Sequence, residues 1–305
     1  MDKISKALVF DGMVKVAAMD TTELVQKAIE LHHTTPVASV VLGKLLTIGA
    51  YMGNELKSEH DKLSITLTCS GPLEGAVVAA TNGTVRGYVL NPQVDIPAMG
   101  NGKQNTGKAI VDGKIKVIKD LGLKDCYTGT SEIVNGSIDE DFAWYFTSSE
   151  GQPTALALAV NLDEDGNCTS AGGIVIQPMP GCPEHILVML EDIAMNFAEI
   201  GKLVAKRDAH HLIDDYFGHF TIQYFDPTTP VYQCICSPTY MKGVVRTIGR
   251  AECVNILMER GEIEIVCHFC NTKYRFDKQA VIDIWQEYDR ITKAAKQQED
   301  QQEGK

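Results

Sequence analysis

The sequence predicts an α+β protein with a largely antiparallel sheet, a helical linker and a small cysteine-bearing module near its C-terminus. Strands and helices are interspersed over the first 180 residues with few βαβ units. A proline- and glycine-rich stretch at 178–183 then breaks the pattern, and closely spaced cysteines follow position 233. At 305 residues, with 44% hydrophobic and 22% charged residues, the chain has the size and composition of about two globular domains.

The first elements are helices. Asp20 followed by Glu23 resembles a capping box, and the apolar residues after it recur on one helical face. Pro36 is suited to the first position of a second helix, which we expect to end near Gly53.

Strands come next. Apolar residues alternate from Leu63 to Cys69, and Asn82-Gly83 predicts a tight turn between strands at 76–80 and 84–90. Further elements are predicted as a strand at 115–117, a helix that begins near Ser137 and ends near Ser149, and paired strands at 155–161 and 173–177.

A long helix is predicted at 184–207. Its apolar residues are spaced alternately by four and three, which places them on one stripe: Ile186, Leu190, Ile193, Phe197, Ile200 and Val204. Such a stripe has to pack against another surface, and the preceding domain is the nearest candidate. A further helix is predicted from about Lys278, followed by a polar tail.

The composition narrows the classes of function. The chain has 28 Lys and Arg against 40 Asp and Glu, a formal net charge of −12 that is opposite to what wrapping a nucleic acid requires. The N-terminus lacks an apolar signal segment, and the apolar stretch at 37–52 falls short of the ~20 residues that span a bilayer. We therefore expect a cytoplasmic protein with neither a membrane nor a nucleic acid as partner, whose nine cysteines stay reduced.

Four of the nine cysteines form two close pairs. One residue separates Cys234 from Cys236, two separate Cys267 from Cys270, and thirty lie between the pairs. Brought together, the pairs offer four thiolates, a ligand set that suits one tetrahedral Zn²⁺. Strands predicted around the second pair indicate a hairpin, and so small a module would draw on the order of 10 kcal/mol of folding free energy from the metal. No catalytic pattern is present, so we expect no catalytic residue and no enzyme.

The same cysteines could respond to oxidants. A disulfide between Cys234 and Cys236 would close a very small ring, and its strain would make it easy to reduce. Thiolates are also the form that oxidants attack, and oxidation would remove the metal ligands. A reversible redox switch is therefore chemically available.

Several motifs carry a family resemblance. They are Cys234-Ile-Cys236-Ser237, Cys267-His-Phe-Cys270-Asn-Thr-Lys-Tyr274-Arg-Phe276, Lys119-Asp-Leu-Gly-Leu123, Tyr127-Thr-Gly129, Asp141-Phe-Ala-Trp-Tyr-Phe146 and Gly172-Gly-Ile-Val-Ile-Gln177. In these motifs, over about residues 1–290, the chain resembles the redox-regulated 33-kDa chaperonin family, heat shock protein 33.

The resemblance implies an ATP-independent chaperone that holds unfolding client proteins during oxidative stress. Reduced members are inactive and bind zinc through the four cysteines; oxidation forms the disulfides Cys234–Cys236 and Cys267–Cys270, releases zinc, destabilises the linker and permits a homodimer. The linker stripe would then expose apolar surface. The implied division is a substrate-binding and dimerisation domain at 1–180, a helical linker at 181–231, a zinc-binding redox-switch domain at 232–290 and a polar tail at 291–305.

Two other functions stay open. A zinc-ribbon module could bind nucleic acid, since residues 231–278 hold seven basic and five acidic side chains, a balance of +2. A thiol-disulfide oxidoreductase could use Cys267 and Cys270, although the strand-to-helix setting of such enzymes is missing. Cys253, in a stretch where the family usually has paired acids, leaves alternative disulfides open.

Overall fold

The chain divides after Gln233 into two compact units. The computed structural model describes the backbone of residues 1–303 and the side chains of residues 1–293. The first unit ends at Gln233 and the second begins at Cys234.

The first unit mixes strands and helices. Its strands are β1 (Lys3–Val9), β2 (Val14–Asp20), β3 (Lys62–Cys69), β4 (Gly75–Thr81), β5 (Thr84–Val89), β6 (Gly113–Asp120), β7 (Tyr127–Glu132), β8 (Ala155–Leu162), β9 (Cys168–Pro178), β10 (Ile222–Tyr224) and β11 (Val231–Tyr232). Its helices are α1 (Thr22–His32), α2 (Pro36–Asn54), α3 (Thr106–Ile110), α4 (Ile138–Ser149), α5 (Glu184–Ala194), α6 (Ile200–Val204) and α7 (Ala209–Phe217).

These strands form two sheets. One has the order β10-β1-β2-β9-β8 and the other the order β11-β5-β4-β3-β6-β7. Every neighbouring pair is antiparallel except β11 and β5, which run parallel. The predicted α+β class with a largely antiparallel sheet is confirmed, and so is the hairpin at Asn82-Gly83, which joins β4 to β5.

The first of these sheets is buried on both faces. On β2, Ala17 and Met19 belong to a core that also contains α1, α2 and the second sheet. Val16 and Ala18, which alternate with them, belong to a separate core under α5, α6 and α7. The sheet therefore divides two apolar layers that share no side chains.

Helix α2 lies in the first core. By length and composition alone it could cross a membrane, but 89% of its most apolar window is buried inside the protein. Its apolar character follows from burial on all sides, as expected for a central helix of a globular core.

The apolar stripe of the linker packs against the first sheet, as expected. Ile186, Leu190, Ile200 and Val204 are buried in the second core. The single helix predicted at 184–207 is wrong in its continuity, because a 3-10 turn at Met195–Glu199 separates α5 from α6. That tighter turn brings Phe197 edge-on to Tyr216, with ring centroids 5.7 Å apart.

The capping box predicted for α1 does not form. Thr21 occupies the cap position without a side-chain hydrogen bond, and the Asp20 carboxylate accepts from the Thr22 amide instead. The Asp2 carboxylate, distant in sequence, accepts from the amides of Glu23 and Leu24 at 2.8 Å each. The residue just before β1 thus caps α1, and a local sequence pattern could not indicate a contact between residues so far apart in the chain.

The second unit holds α8 (Pro238–Ile248), α9 (Arg250–Arg260), the antiparallel pair β12 (Glu262–Val266) and β13 (Lys273–Asp277), and α10 (Lys278–Glu303). Gly249 separates the two shorter helices at a φ of 91°, where glycine is favoured. The predicted polar tail begins within α10; the side chains beyond residue 293 lie outside the described part of the chain.

Candidate metal centre

The second cysteine pair lies in the turn between β12 and β13. The Cys267 amide donates to the Thr272 carbonyl at 3.0 Å, which closes the hairpin. Within the turn, the amides of Cys270 and Asn271 donate to the Cys267 carbonyl at 3.3 and 2.7 Å. Asn271 has a φ of 54°, a left-handed conformation that asparagine tolerates. The turn therefore directs two thiols to one side.

The first pair lies immediately before α8. Ser237 caps that helix, since its hydroxyl accepts from the Tyr240 amide at 3.1 Å, and Pro238 follows at the first helical position. Cys234 and Cys236 precede this cap outside any helix or strand, and both pack against the core of the second unit.

The four sulfurs form one cluster. The Sγ atoms of Cys234 and Cys267 are 3.6 Å apart, those of Cys236 and Cys270 are 3.3 Å apart, and all four lie within 4.8 Å of one another. A tetrahedral site with Zn–S bonds of about 2.3 Å has sulfurs about 3.8 Å apart. The donor set and its spacing therefore fit one zinc ion.

The surroundings of the thiols differ. Burial raises the pKa values of Cys234, Cys236 and Cys267. Burial acts in the same direction on Cys270, but hydrogen bonds from Thr272 and from the neighbouring thiols outweigh it and lower the pKa of Cys270 to about 7. The Thr272 Oγ1 lies 3.2 Å from the Cys270 Sγ and becomes the donor when the sulfur is a thiolate.

Tyr274 also contacts the cluster, which no local pattern in the sequence indicates. Its hydroxyl donates to the Cys236 Sγ at 3.2 Å, and this bond raises the pKa of Tyr274 to about 12. Tyr274 appears in the family motif, but only the register of β13 shows that it reaches a sulfur. Such partners orient metal ligands and tune their charge.

The other cysteines lie apart from the cluster. Cys253 on α9 is fully buried, with its Sγ 3.6 Å from the Val245 carbonyl oxygen. Cys69, Cys126, Cys168 and Cys182 belong to the first unit, and all nine cysteines are free thiols. Within the described residues, the four-cysteine cluster is the only group of three or more potential ligands close enough to hold a metal.

The core around this cluster is small. Eight buried residues form it: Met241, Val245, Cys253, Ile263, Cys267, Phe276, Val281 and Ile284. One of them is itself a member of the cluster. The packing of the second unit therefore depends on the position of the thiols.

Known proteins are similar to this chain in sequence and in fold. The family model described as Hsp33 protein matches residues 2–277. A 33 kDa chaperonin of Clostridium beijerinckii is 38% identical over 286 residues, covering 93% of this chain and 98% of the relative. A 33 kDa chaperonin of Clostridium perfringens is 36% identical over 313 residues, covering 100% and 99%. The crystal structure of the 33 kDa chaperonin of Thermotoga maritima superposes with a TM-score of 0.86 at 29% identity, covering 94% of this chain and 98% of that one.

Proposed function

Because this chain belongs to the Hsp33 chaperonin family, we propose that it is a redox-regulated, ATP-independent chaperone that holds unfolding proteins. The observation that carries the proposal is the four-cysteine cluster inside a unit whose own core is small. The four cysteines would be both the metal ligands and the groups that are oxidised. Their redox state would therefore be coupled to the folding of that unit.

In the reduced state, Cys234, Cys236, Cys267 and Cys270 would hold one zinc ion. Bound zinc would cross-link the two cysteine pairs and keep their sulfurs as thiolates. Tyr274 and Thr272 donate to the sulfurs of Cys236 and Cys270 and would offset part of the negative charge of four thiolates. In this state the α5–α7 layer remains packed against the first sheet.

Oxidation would pair Cys234 with Cys236 and Cys267 with Cys270, as the family resemblance implies. In each disulfide, two thiolates give up two electrons to form one S–S bond. An oxidant of the peroxide class accepts these electrons with two protons and leaves as two water molecules. Disulfide sulfurs no longer ligate the metal, so the second unit loses its cross-link and unfolds.

Release of the second unit would loosen the linker. Gln233 directly precedes Cys234, so the chain that leads to α5–α7 loses its ordered C-terminal neighbour. Detachment of those helices would uncover the apolar side chains of the first sheet, among them Val9, Val16 and Ile176. Apolar surface of this kind binds non-native chains.

The remaining expectations belong to the same proposal. The partners are unfolded client proteins and, in the oxidised state, a second copy of the chain. The domains at 1–180, 181–231 and 232–290 would act as client-binding and dimerisation domain, linker and redox switch. A cytoplasmic location suits thiols that must stay reduced between episodes of stress.

The nucleic-acid alternative is weakened by the ion pairs of the second unit. Arg250 lies 2.8 Å from Asp289 and Arg275 lies 2.9 Å from Glu264, so neighbouring carboxylates offset part of the positive charge of this unit. The oxidoreductase alternative would require a nucleophilic cysteine at a helix N-terminus. Cys267 and Cys270 lie instead in a β-hairpin turn.

The test follows zinc, thiols and client together. Zinc release and free thiols are titrated before and after peroxide treatment with mild heating, while light scattering follows aggregation of a thermally unfolding client protein. We expect zinc loss, loss of four thiols and suppression of aggregation to occur together. Retention of zinc after oxidation, or an oxidised form that leaves aggregation unchanged, would contradict the proposal.

A further inference from the structure

One segment covers one outer edge of each of the two sheets in the first unit. This edge segment, residues 222–233, contains β10, which pairs with β1, and β11, which pairs with β5. Both β1 and β5 would otherwise be outermost strands of their sheets. An uncovered edge strand presents a row of unpaired backbone groups that can pair with another chain.

The contact with β1 is made by backbone groups along the length of the strand. Ile222, Gln223 and Tyr224 lie opposite Val9, Leu8 and Ala7. The Phe225 amide then donates to the Lys6 carbonyl at 2.9 Å, and Thr228 and Ile4 exchange two hydrogen bonds of 3.0 and 2.8 Å. Because alternate residues of a strand face opposite neighbours, Ile4, Lys6 and Leu8 face the edge segment, while Ser5 and Ala7 face β2.

The contact with β5 combines backbone and side-chain groups. The amides of Val231 and Gln233 donate to the carbonyls of Gly83 and Val85, each at 3.1 Å. Beyond the end of β11, the Tyr232 hydroxyl donates to the Gly87 carbonyl at 2.9 Å and accepts from the Gly87 amide at 3.4 Å. The Tyr232 hydroxyl thus pairs the backbone groups of Gly87, which lie beyond the reach of the backbone of the edge segment.

Backbone hydrogen bonds hold much of the edge segment, and Tyr224 adds side-chain contacts, since its hydroxyl donates to the Asp214 carboxylate and its ring stacks on His210. Of its residues, Pro230 alone is buried, and β10 and β11 are only three and two residues long. Ile222 and Tyr224 pack partly against the core under α5–α7, whereas Gln223 between them is exposed. Contacts of this type demand an extended backbone and alternate apolar side chains, and any chain with those properties can make them.

We propose that β1 and β5 are client-binding edges, which take up an extended segment of an unfolded protein as an added strand once the edge segment has left. This inference rests on the proposed function and specifies how clients are held. The occupant is a stretch of unfolded chain without proline at the bonded positions and with apolar residues at every second position. The edge segment is its counterpart within the chain, and its last residue directly precedes the metal ligand Cys234.

The test is residue-resolved amide hydrogen exchange on the full-length protein in three states: reduced with zinc, oxidised, and oxidised with a reduced, permanently unfolded client protein. In the oxidised state, exchange of the Ile4 and Leu8 amides should accelerate more than about tenfold, equal to ~1.4 kcal/mol of lost local stability. Ser5 and Ala7, which bond to β2, are controls in the same strand and should stay protected. Added client should restore protection at Ile4 and Leu8.

Aggregation suppression measured on the same samples separates this inference from the proposed function. An oxidised protein that does not suppress aggregation contradicts the proposed function. An oxidised protein that does suppress it, but whose β1 exchange is unaffected by client, overturns the edge inference alone. Protection that returns with rising protein concentration and no client would assign the edges to a second copy, which also overturns it.

Two variants test the edges in the reduced, zinc-bound protein. Gln223→Pro removes a backbone donor from β10 and should raise binding of a fluorescent unfolded client several-fold, because β1 is then only partly covered. Gln223→Ala keeps the donor and should bind as the parent chain does. Equal client binding by the two variants, with Ile4 and Leu8 accelerated only in Gln223→Pro, would overturn the inference.

Discussion

The hydroxyl of Tyr274 lies 3.2 Å from the sulfur of Cys236 and donates a hydrogen bond to it. A strand residue on one side of the cluster thus reaches a ligand on the other side. The bond would draw negative charge away from one of four thiolates and fix the orientation of its side chain.

Removing this hydroxyl should weaken metal binding. We expect Tyr274→Phe to lower the zinc affinity about tenfold, because partners of metal ligands contribute on this scale. Competition with a chromophoric chelator measures the affinity. Tyr240→Phe alters a tyrosine of the same unit that is 57% exposed and is the matched control. Equal affinities of the parent chain and Tyr274→Phe would show that the bond does not support the site.

Chelation of zinc from the reduced protein should unfold the second unit and leave the core that contains α2 folded. Its core contains eight buried residues, one of them a ligand, and metal contributes on the order of 10 kcal/mol to such modules. Amide exchange should rise at Ile263 and Phe276 and stay slow at Ile65 and Val117 in the first unit. Protection at Ile263 that survives complete zinc removal would contradict the dependence on metal.

Loosening the α5–α7 layer should mimic part of activation. Phe217 is fully buried and packs edge-on to Phe10, with ring centroids 6.3 Å apart. Phe217→Ala should cost about 3–5 kcal/mol, accelerate exchange in α5–α7 and give the reduced protein partial aggregation suppression. Met195→Ala, at a position 73% exposed, is the control. If Phe217→Ala loosens the layer without any gain in aggregation suppression, the layer does not control client binding.

Oxidation of the parent chain provides a second measurement of the same layer. Exchange at residues 186–204 should accelerate when the disulfides form and zinc leaves. Unchanged exchange in the zinc-free oxidised protein would contradict a role for the linker in activation.

Asp2 should make stability depend on pH between about 4 and 6. Burial raises the pKa of Asp2 from 3.8 to about 6, so the folded state binds this proton more tightly than the unfolded state. The contribution of Asp2 to stability is therefore largest below pH 4 and falls as the pH rises to 6. Denaturant titrations should show the stability of the parent chain, relative to Asp2→Asn, declining over this range. Asp11→Asn, in an exposed turn, is the control. A stability difference between the parent chain and Asp2→Asn that does not change with pH would refute the assignment.

Cys253 should react only after the second unit opens. Its side chain is fully buried under α8, whereas Cys126 in the first unit is exposed. Iodoacetamide should modify Cys126 quickly in every state, and Cys253 only after chelation or oxidation. Mass spectrometry after oxidation should then find Cys253 either as a free thiol or in an alternative disulfide. Rapid modification of Cys253 in the zinc-bound protein would contradict this order.

The four-cysteine cluster could be predicted from the sequence because its information is local. Two close cysteine pairs, such as Cys267 and Cys270, specify ligand type and number before any fold is known. The hydrogen bond from Tyr274 could not be predicted, because it depends on how β13 lies beside the segment that holds Cys236.

The predicted strands carry a local signal, which is alternation in β3 and the turn at Asp163-Glu-Asp-Gly166 between β8 and β9. β3 alternates from Leu63 onward and its position was predicted. β2 was not, because Val16 and Ala18 face one core and Ala17 and Met19 the other, so burial on both faces removes the alternation. β10 and β11 are shorter still and exist only through pairing with strands more than a hundred residues away in the chain.

The two-sided burial of the first sheet bears on recovery after stress. The core that contains α2 shares no side chains with the core under α5–α7, so loss of the outer helices would leave the sheet packed on the core that contains α2. If the outer helices detach as proposed, a client would meet a preorganised surface and only that client would lose conformational freedom. When reductant returns, the helices would need only to dock again on an intact template. The inactive form could then be regained within the lifetime of the protein, without synthesis of a new chain.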